Sequence, residues 1–194
     1  MNLLFTVTSA AVLMAASVNT AYAAPSTGDL LPAKNAKAAE ASLKLVGQQI
    51  AEISDNAFLM NQAIDRTDDF EFQADRLGYL RDQVNRVGRE LALIEANRDS
   101  LPQWQTDAVN QIVPAMHEVA DEATQATNTF NVDSNRLYAS SYGIETKEIS
   151  DNAGKVAQHL HYDLKLANAE AAEARLTAAI DKQNMAIPNS KPGM

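Results

Sequence analysis

The chain of 194 residues contains no cysteine. Without a thiol there is no disulfide, no thiolate nucleophile, no c-type haem attachment and no acylated cysteine of the lipoprotein kind. The missing residue type therefore excludes several classes of catalysis and of membrane anchoring together.

Glycine (7 residues), proline (6) and aromatic residues (6%) are also scarce, whereas apolar residues make up 46% of the chain. This composition disfavours a loop-rich or all-β protein, and it predicts an aliphatic core. The length suits one ordinary domain.

Basic residues are outnumbered, with 16 Lys and Arg against 25 Asp and Glu, a net charge of −9 and a pI near 4.7. An acidic surface repels phosphate groups, so nucleic acid is not an expected partner. Membrane attachment through a basic patch is disfavoured for the same reason.

The first 23 residues have the pattern of a signal peptide. Leu3 to Val18 is an apolar run interrupted only by Thr and Ser, and Ala21-Tyr22-Ala23 is a small-x-small cleavage motif. We expect cleavage after Ala23, which leaves residues 24–30 as the N-terminal segment of a soluble periplasmic or secreted protein. The leader lacks Lys and Arg, which suggests an uncleaved anchor as the alternative. The apolar run is shorter than the roughly 20 residues that span a bilayer, which favours cleavage.

Apolar residues after the leader recur at alternating steps of three and four, the seam of helices packed lengthwise. A first helix is predicted over residues 31–66, and a phase break at 65–68 ends it. Asp68 and Glu71 have the spacing of an N-terminal capping pair, and a second helix is predicted over 68–98. The seam of the first helix is Ala36, Ala39, Leu43, Val46, Ile50, Ile53, Ala57, Met60 and Ile64.

Ser100-Leu101-Pro102-Gln103 has capping-box spacing with proline in the first turn, and it predicts the start of a third helix. The end of that helix is left open between 130 and 142, with Gly143 as the stop. A fourth helix is predicted over about 145–182, and residues 184–194 are expected to be a disordered tail. The later seam of the fourth helix is nearly all alanine, which would let a neighbouring backbone approach closely: Ala167, Ala171, Ala174 and Ala178.

Short linkers at 65–68 and 98–101 require consecutive helices to turn back on each other. We therefore predict an all-α fold, with a bundle domain over 31–183 of four long antiparallel helices in up-down-up-down order. The alternative is a pair of coiled-coil-like hairpins that completes its core by dimerising. Periodicity alone does not separate the two.

Motifs of the common catalytic sites are missing from the sequence. It has no Gly-x-Ser-x-Gly elbow, no Gly-rich phosphate loop and no Rossmann fingerprint. No Glu stands three residues before His117, His159 or His161, as a di-iron bundle would require. We expect neither an enzyme nor a cofactor. His117 and Asp121, one helical turn apart, are the candidate for a weak metal site, although such pairs commonly belong to a solvated face.

One hexapeptide occurs twice: Glu52-Ile53-Ser54-Asp55-Asn56-Ala57 recurs as Glu148-Ile149-Ser150-Asp151-Asn152-Ala153. The predicted bundle would place both copies at the same end. They could form a polar surface for a ligand or partner, with tyrosines of the adjoining linker as aromatic contacts. Helix duplication or coincidence is the simpler explanation. The candidate residues are Ser54, Asp55, Asn56, Ser150, Asp151, Asn152, Tyr138 and Tyr142.

Together these features predict an exported, non-enzymatic helical-bundle protein with a structural or protein-interaction role. Its expected partner is another protein or a second copy of the chain. The alternative is a periplasmic bundle of the sensor type that binds a small ligand or a metal.

Overall fold

The computed structural model describes residues 32–64 and 70–185, and these residues form helices and turns with no strand. Four long helices account for most of them: α1 (Pro32–Gln62), α2 (Phe70–Glu95), α3 (Gln103–Asp133) and α4 (Tyr142–Met185). Two 3₁₀ segments, Arg98–Ser100 and Ser134–Ala139, lie on either side of α3. The predicted all-helical class with four helices is thus confirmed for this part of the chain.

Several sequence predictions concern residues outside these two ranges. The leader (1–23), the segment 24–30, Asp68 of the proposed capping pair and residues 186–194 lie outside the described residues. The first two residues of the expected tail, 184 and 185, belong to α4. None of the described helices has a stretch that is long and apolar enough to cross a membrane.

Apolar seams of the helices pack together as one core. In α1, the residues from Leu43 to Met60 at the predicted seam positions are all fully buried. Burying an aliphatic side chain of this size stabilises the fold by about 1.5–3 kcal/mol relative to exposure. The predicted seams of α3, of the first half of α4 and of α2 supply the rest of this core, except that the predicted seam residue Phe70 of α2 is 51% exposed. The heptad periodicity thus located the buried side of α1, α2, α3 and the first half of α4.

α4 packs most extensively on α1 and then on α3, and α1 also packs on α2. Hydrogen bonds give the register. Gln83 bonds to Glu52 and Gln73 to Met60 between α2 and α1, so rising numbers on one helix meet falling numbers on the other. Between α4 and α3, Asn152 bonds to Glu122 and Glu145 bonds to Thr129, so residue numbers again rise on one helix as they fall on the other.

The start of α3 differs from the capping-box prediction. Pro102 is the N-cap residue, without a side-chain cap, and the helix begins at Gln103. The Ser100 hydroxyl donates backwards to the carbonyl of Asn97 at 2.8 Å. The reason is that Ser100 belongs to the 3₁₀ segment, so its hydroxyl faces the preceding turn rather than the first turn of α3.

Gly143 is not a helix stop, because α4 already begins at Tyr142. A β-carbon at Gly143 would lie 3.2 Å from Cδ1 of Ile64, so the glycine lets α4 approach the turn that follows α1 closely. The chain reverses instead through the 3₁₀ segment Ser134–Ala139, which contains a non-helical residue, Arg136.

The predicted close packing of the alanine seam in α4 is also not observed. Ala167 is half-buried, but all residues from 169 to 183 are exposed. α4 has 44 residues, whereas α1 and α3 have 31 each, so α4 is longer than the helices that cover it. We call residues 169–183 the C-terminal arm.

Candidate functional site

Both copies of the repeated hexapeptide lie in the α1–α4 interface, where their serines meet. The Ser54 hydroxyl donates to the Ser150 carbonyl at 2.8 Å, and the Ser150 hydroxyl donates to the Ser54 carbonyl at 3.0 Å. The two hydroxyl oxygens are 3.4 Å apart. A β-carbon at Gly154 would lie 3.1 Å from the Ser54 hydroxyl oxygen, so the crossing is tight. These hydroxyl groups bond to each other's helix.

The asparagines of the two copies each bond to the next helix. The Asn56 amide donates to the Arg76 carbonyl of α2 at 3.1 Å and accepts from the Arg76 guanidinium at 3.2 Å. The Asn152 amide donates to the Glu122 carboxylate of α3 at 2.7 Å and accepts from Lys155 at 3.4 Å. The asparagines therefore tie α1 to α2 and α4 to α3.

The aspartates of the two copies, Asp55 and Asp151, are exposed. Lys147, one turn before Asp151, pairs with its carboxylate at 2.5 Å. This hydrogen bond from Lys147 lowers the pKa of Asp151. Of the polar residues of the repeat, the aspartates and the glutamates Glu52 and Glu148 thus remain on the surface, whereas the serines and asparagines lie in helix contacts.

An approximate two-fold axis passes through the α1–α4 crossing. A β-carbon at Gly47 would lie 3.2 Å from Cδ2 of Leu160, and one at Gly143 would lie 3.2 Å from Cδ1 of Ile64. A shift of 96 residues converts Gly47 into Gly143 and Ile64 into Leu160, and the same shift relates Ser54 to Ser150. The correspondence therefore extends well beyond the hexapeptide, and the contacts account for the repeat as a packing motif.

Tyr138 and Tyr142 have different environments. Tyr138 is exposed, whereas Tyr142 is fully buried and its hydroxyl donates to Gln73 at 2.8 Å. The Gln73 amide in turn donates to the Met60 carbonyl at 2.9 Å. Burial, assisted by the nearby Glu145 charge, raises the pKa of Tyr142. The Tyr142 ring is not available at the surface, because the core needs it to pair with a buried glutamine.

A carboxylate at the start of α4 was not anticipated from the sequence. Glu145 is buried and accepts hydrogen bonds from Thr129 at 2.8 Å and Ser141 at 2.7 Å. Ser141 stands four residues before Glu145, which is a helix-start spacing. The contribution of Thr129 depends on α3 lying alongside, and no local signal indicates that.

Glu122 on α3 is a half-buried carboxylate whose surroundings oppose its ionisation. Burial raises its pKa, the Asn152 hydrogen bond opposes this, and the negative charges of Glu148 and Glu118 raise the pKa further. The nearby Lys155 lowers it. These groups belong to the wall between α3 and α4, beside a groove of about 210 Å³.

His117 and Asp121, the predicted metal pair, are both exposed on α3. Among the described residues there is no group of three or more His, Asp or Glu side chains placed to hold a metal ion. Weak binding by the pair stays a prediction.

The outward side of α4 carries large apolar residues that nothing in the described chain covers. Tyr162, Leu166, Leu176 and Ile180 are all more than half exposed. Ala169 and Glu173 lie between Leu166 and Leu176 on the same side of the helix. With these two residues included, the positions follow one another at alternating steps of four and three. We call this set the outer stripe: Tyr162, Leu166, Ala169, Glu173, Leu176 and Ile180.

The chain has no significant match among protein-family models, curated proteins or solved structures.

Proposed function

We propose that this chain is an exported, non-enzymatic helical bundle that acts through protein–protein contacts made by the C-terminal arm. The observation that carries the proposal is the outer stripe on a helix that extends past its neighbours. Large apolar residues that line one side of a helix at heptad spacing are typical of a surface that packs on another helix.

The architecture that we propose is the up-down-up-down bundle. The opposite sense of residue numbers across the α1–α2, α3–α4 and α1–α4 contacts supports it. The arm would then project from one end of the bundle, where a partner can reach it without disturbing the core.

The polar groups of the repeat support a structural role for it. Ser54 and Ser150 bond to each other's helix, and Asn56 and Asn152 bond to flanking helices, so little hydrogen-bonding capacity is left for a ligand. This favours an interaction protein over the alternative of a small-ligand sensor.

Export is part of the proposal and rests on the leader. We propose that cleavage after Ala23 releases the mature chain into the periplasm or the medium. The mass of the mature protein measures this directly, because a chain that begins at Ala24 is lighter than the full chain by residues 1–23.

In-cell cross-linking tests the interaction. A photo-reactive residue in place of Leu176, which is 65% exposed, is expected to give a discrete cross-linked product in the exported fraction of the source cells. The matched control is the same residue in place of Leu93, which is 63% exposed on α2. Products at neither position, or equal products at both, would contradict an interaction through the arm.

A further inference from the structure

We propose that the partner of the outer stripe is a second copy of this chain, bound antiparallel. This inference rests on the proposed function, and it names the partner of the same surface. The two arms would form a short two-stranded coiled coil with one bundle at each end.

The large residues of the stripe are placed symmetrically about position 171. Tyr162 and Ile180 are each nine residues from that position, and Leu166 and Leu176 are each five residues from it. A two-fold axis at this level therefore sets Tyr162 against Ile180 of the other copy. It also sets Leu166 against Leu176 of the other copy. An interface with two-fold symmetry needs a surface that is complementary to itself, and this spacing supplies one.

The centre of the stripe selects the antiparallel direction. Ala169 and Glu173 are each two residues from position 171, so Glu173 faces the small Ala169 of the other copy. The glutamate stem can then lie along the seam while its carboxylate reaches water. In a parallel pair, Glu173 would face Glu173 of the other copy, and two like charges in a dry seam would oppose association.

The bundle leaves the stripe accessible along its whole length. On one flank of α4, His159 and Asp163 line the groove shared with α3. On the other flank, His161 and Lys165 line the groove shared with α1. The stripe begins at Tyr162, between these flanks on the side away from both neighbours. A second arm can therefore approach without meeting α1 or α3.

Sedimentation of the purified mature chain measures the association. We expect a concentration-dependent monomer–dimer equilibrium for the native chain within about 1 µM to 1 mM. Leu176→Lys is expected to weaken the dimer about 10-fold or more, because a lysine charge replaces an apolar contact on both sides of the axis. Leu93→Lys adds the same charge at a similarly exposed site and is expected to leave the equilibrium unchanged. Helicity by circular dichroism confirms that both variants fold.

A native chain that stays monomeric over the whole range would overturn the proposal, as would equal effects of Leu176→Lys and Leu93→Lys. In the cell, a cross-linked product from position 176 with twice the mass of the chain supports a second copy. A product of any other mass would reject the second copy while leaving an interaction through the arm in place.

The antiparallel direction of the two arms can be tested by introducing cysteines, because the chain has no native cysteine. The double variant Ala169→Cys/Glu173→Cys is expected to form a disulfide-linked dimer on mild oxidation, since each new thiol faces the other in an antiparallel pair. Ala169→Cys alone is expected to stay unlinked. Efficient linking of the single variant would instead show a parallel pair and overturn the proposed direction.

Discussion

The serines at the α1–α4 crossing add hydrogen bonds between two helices that also pack through buried apolar side chains. Each hydroxyl gives its proton to a carbonyl of the opposite helix, at 2.8 Å from Ser54 and 3.0 Å from Ser150. A hydrogen bond of this kind contributes about 0.5–1.5 kcal/mol to stability once its exchange with water is counted.

Replacing either serine by alanine is therefore expected to destabilise the protein by about 1 kcal/mol. Urea unfolding of Ser54→Ala and Ser150→Ala measures the change in the free energy of unfolding. Ser42→Ala, at a half-buried position on α1 away from the crossing, is the matched control and should stay within about 0.5 kcal/mol of the native chain. If Ser54→Ala and Ser42→Ala prove equally mild, the crossing hydrogen bonds do not contribute.

The raised pKa of Glu122 predicts how the stability of the fold responds to pH. Its pKa is raised in the folded protein, chiefly by burial, so folding opposes its ionisation. Stability is lost as pH rises from the ordinary glutamate value of 4.5 through the raised one. Glu122→Gln removes this loss and keeps an acceptor for Asn152, so we expect a higher Tm than native at pH 7 and no difference well below pH 4.5.

The control for that experiment is Glu90→Gln, which makes the same change in net charge on α2. Thermal unfolding of both variants across the pH range separates the local effect from the general one. A Tm difference for Glu122→Gln that is independent of pH, or matched by Glu90→Gln, would mean that the burial of Glu122 does not govern the response.

At the scale of the element, the close approach of α1 and α4 depends on glycines within the helices. Glycine in a helix interior costs about 0.5–1 kcal/mol relative to alanine, because its backbone has more freedom to lose. Gly47 lies where a β-carbon would press on Leu160 at 3.2 Å, whereas a β-carbon at Gly78 on α2 would meet nothing within 4 Å.

Gly78→Ala is accordingly expected to stabilise the protein by about 0.5–1 kcal/mol, since it gains helix propensity and meets no neighbour. Gly47→Ala is expected to lose that gain, because Leu160 must move inside a packed core. Urea unfolding of the two variants makes the comparison. Equal stabilisation by both would show that the α1–α4 distance does not require a glycine.

The existence of the four helices and their buried sides could be predicted from periodicity, because the seam of a helix is set by residues three and four apart. The boundaries were less predictable. Gly143 has the usual signature of a stop, yet it lies inside α4, because its lack of a side chain serves contact with Ile64. Ser100 has the spacing of a cap, yet it bonds backwards to Asn97. A local signal cannot indicate which of two uses a glycine or serine has.

At the scale of the whole molecule, one part of the candidate site could also be predicted from the sequence and another part could not. The hexapeptide could be found by comparing the sequence with itself, but its role could not, because that depends on α1 and α4 being neighbours. The contacts place the repeat at the centre of an approximate two-fold crossing of α1 and α4. The outer stripe became a candidate only when the relative lengths of α1, α3 and α4 were known.

The net charge of −9 also acts on the whole molecule. Two copies repel each other at long range, and salt screens that repulsion. An arm that extends past the bundle would hold the two acidic bundles at opposite ends of the paired helices, which limits the repulsion that a dimer must overcome.

By itself, the sequence determined that the described chain is helical and which side of α1, α2, α3 and the first half of α4 is buried. It also determined which thiol-based chemistries are excluded. These properties follow from composition and from short-range spacing. Only the tertiary structure decided that the two Ser-Asp-Asn segments meet, that Tyr142 is enclosed and that α4 continues beyond its neighbours. Those outcomes depend on which helices lie side by side and on how far each one extends, and residues distant in the chain set both.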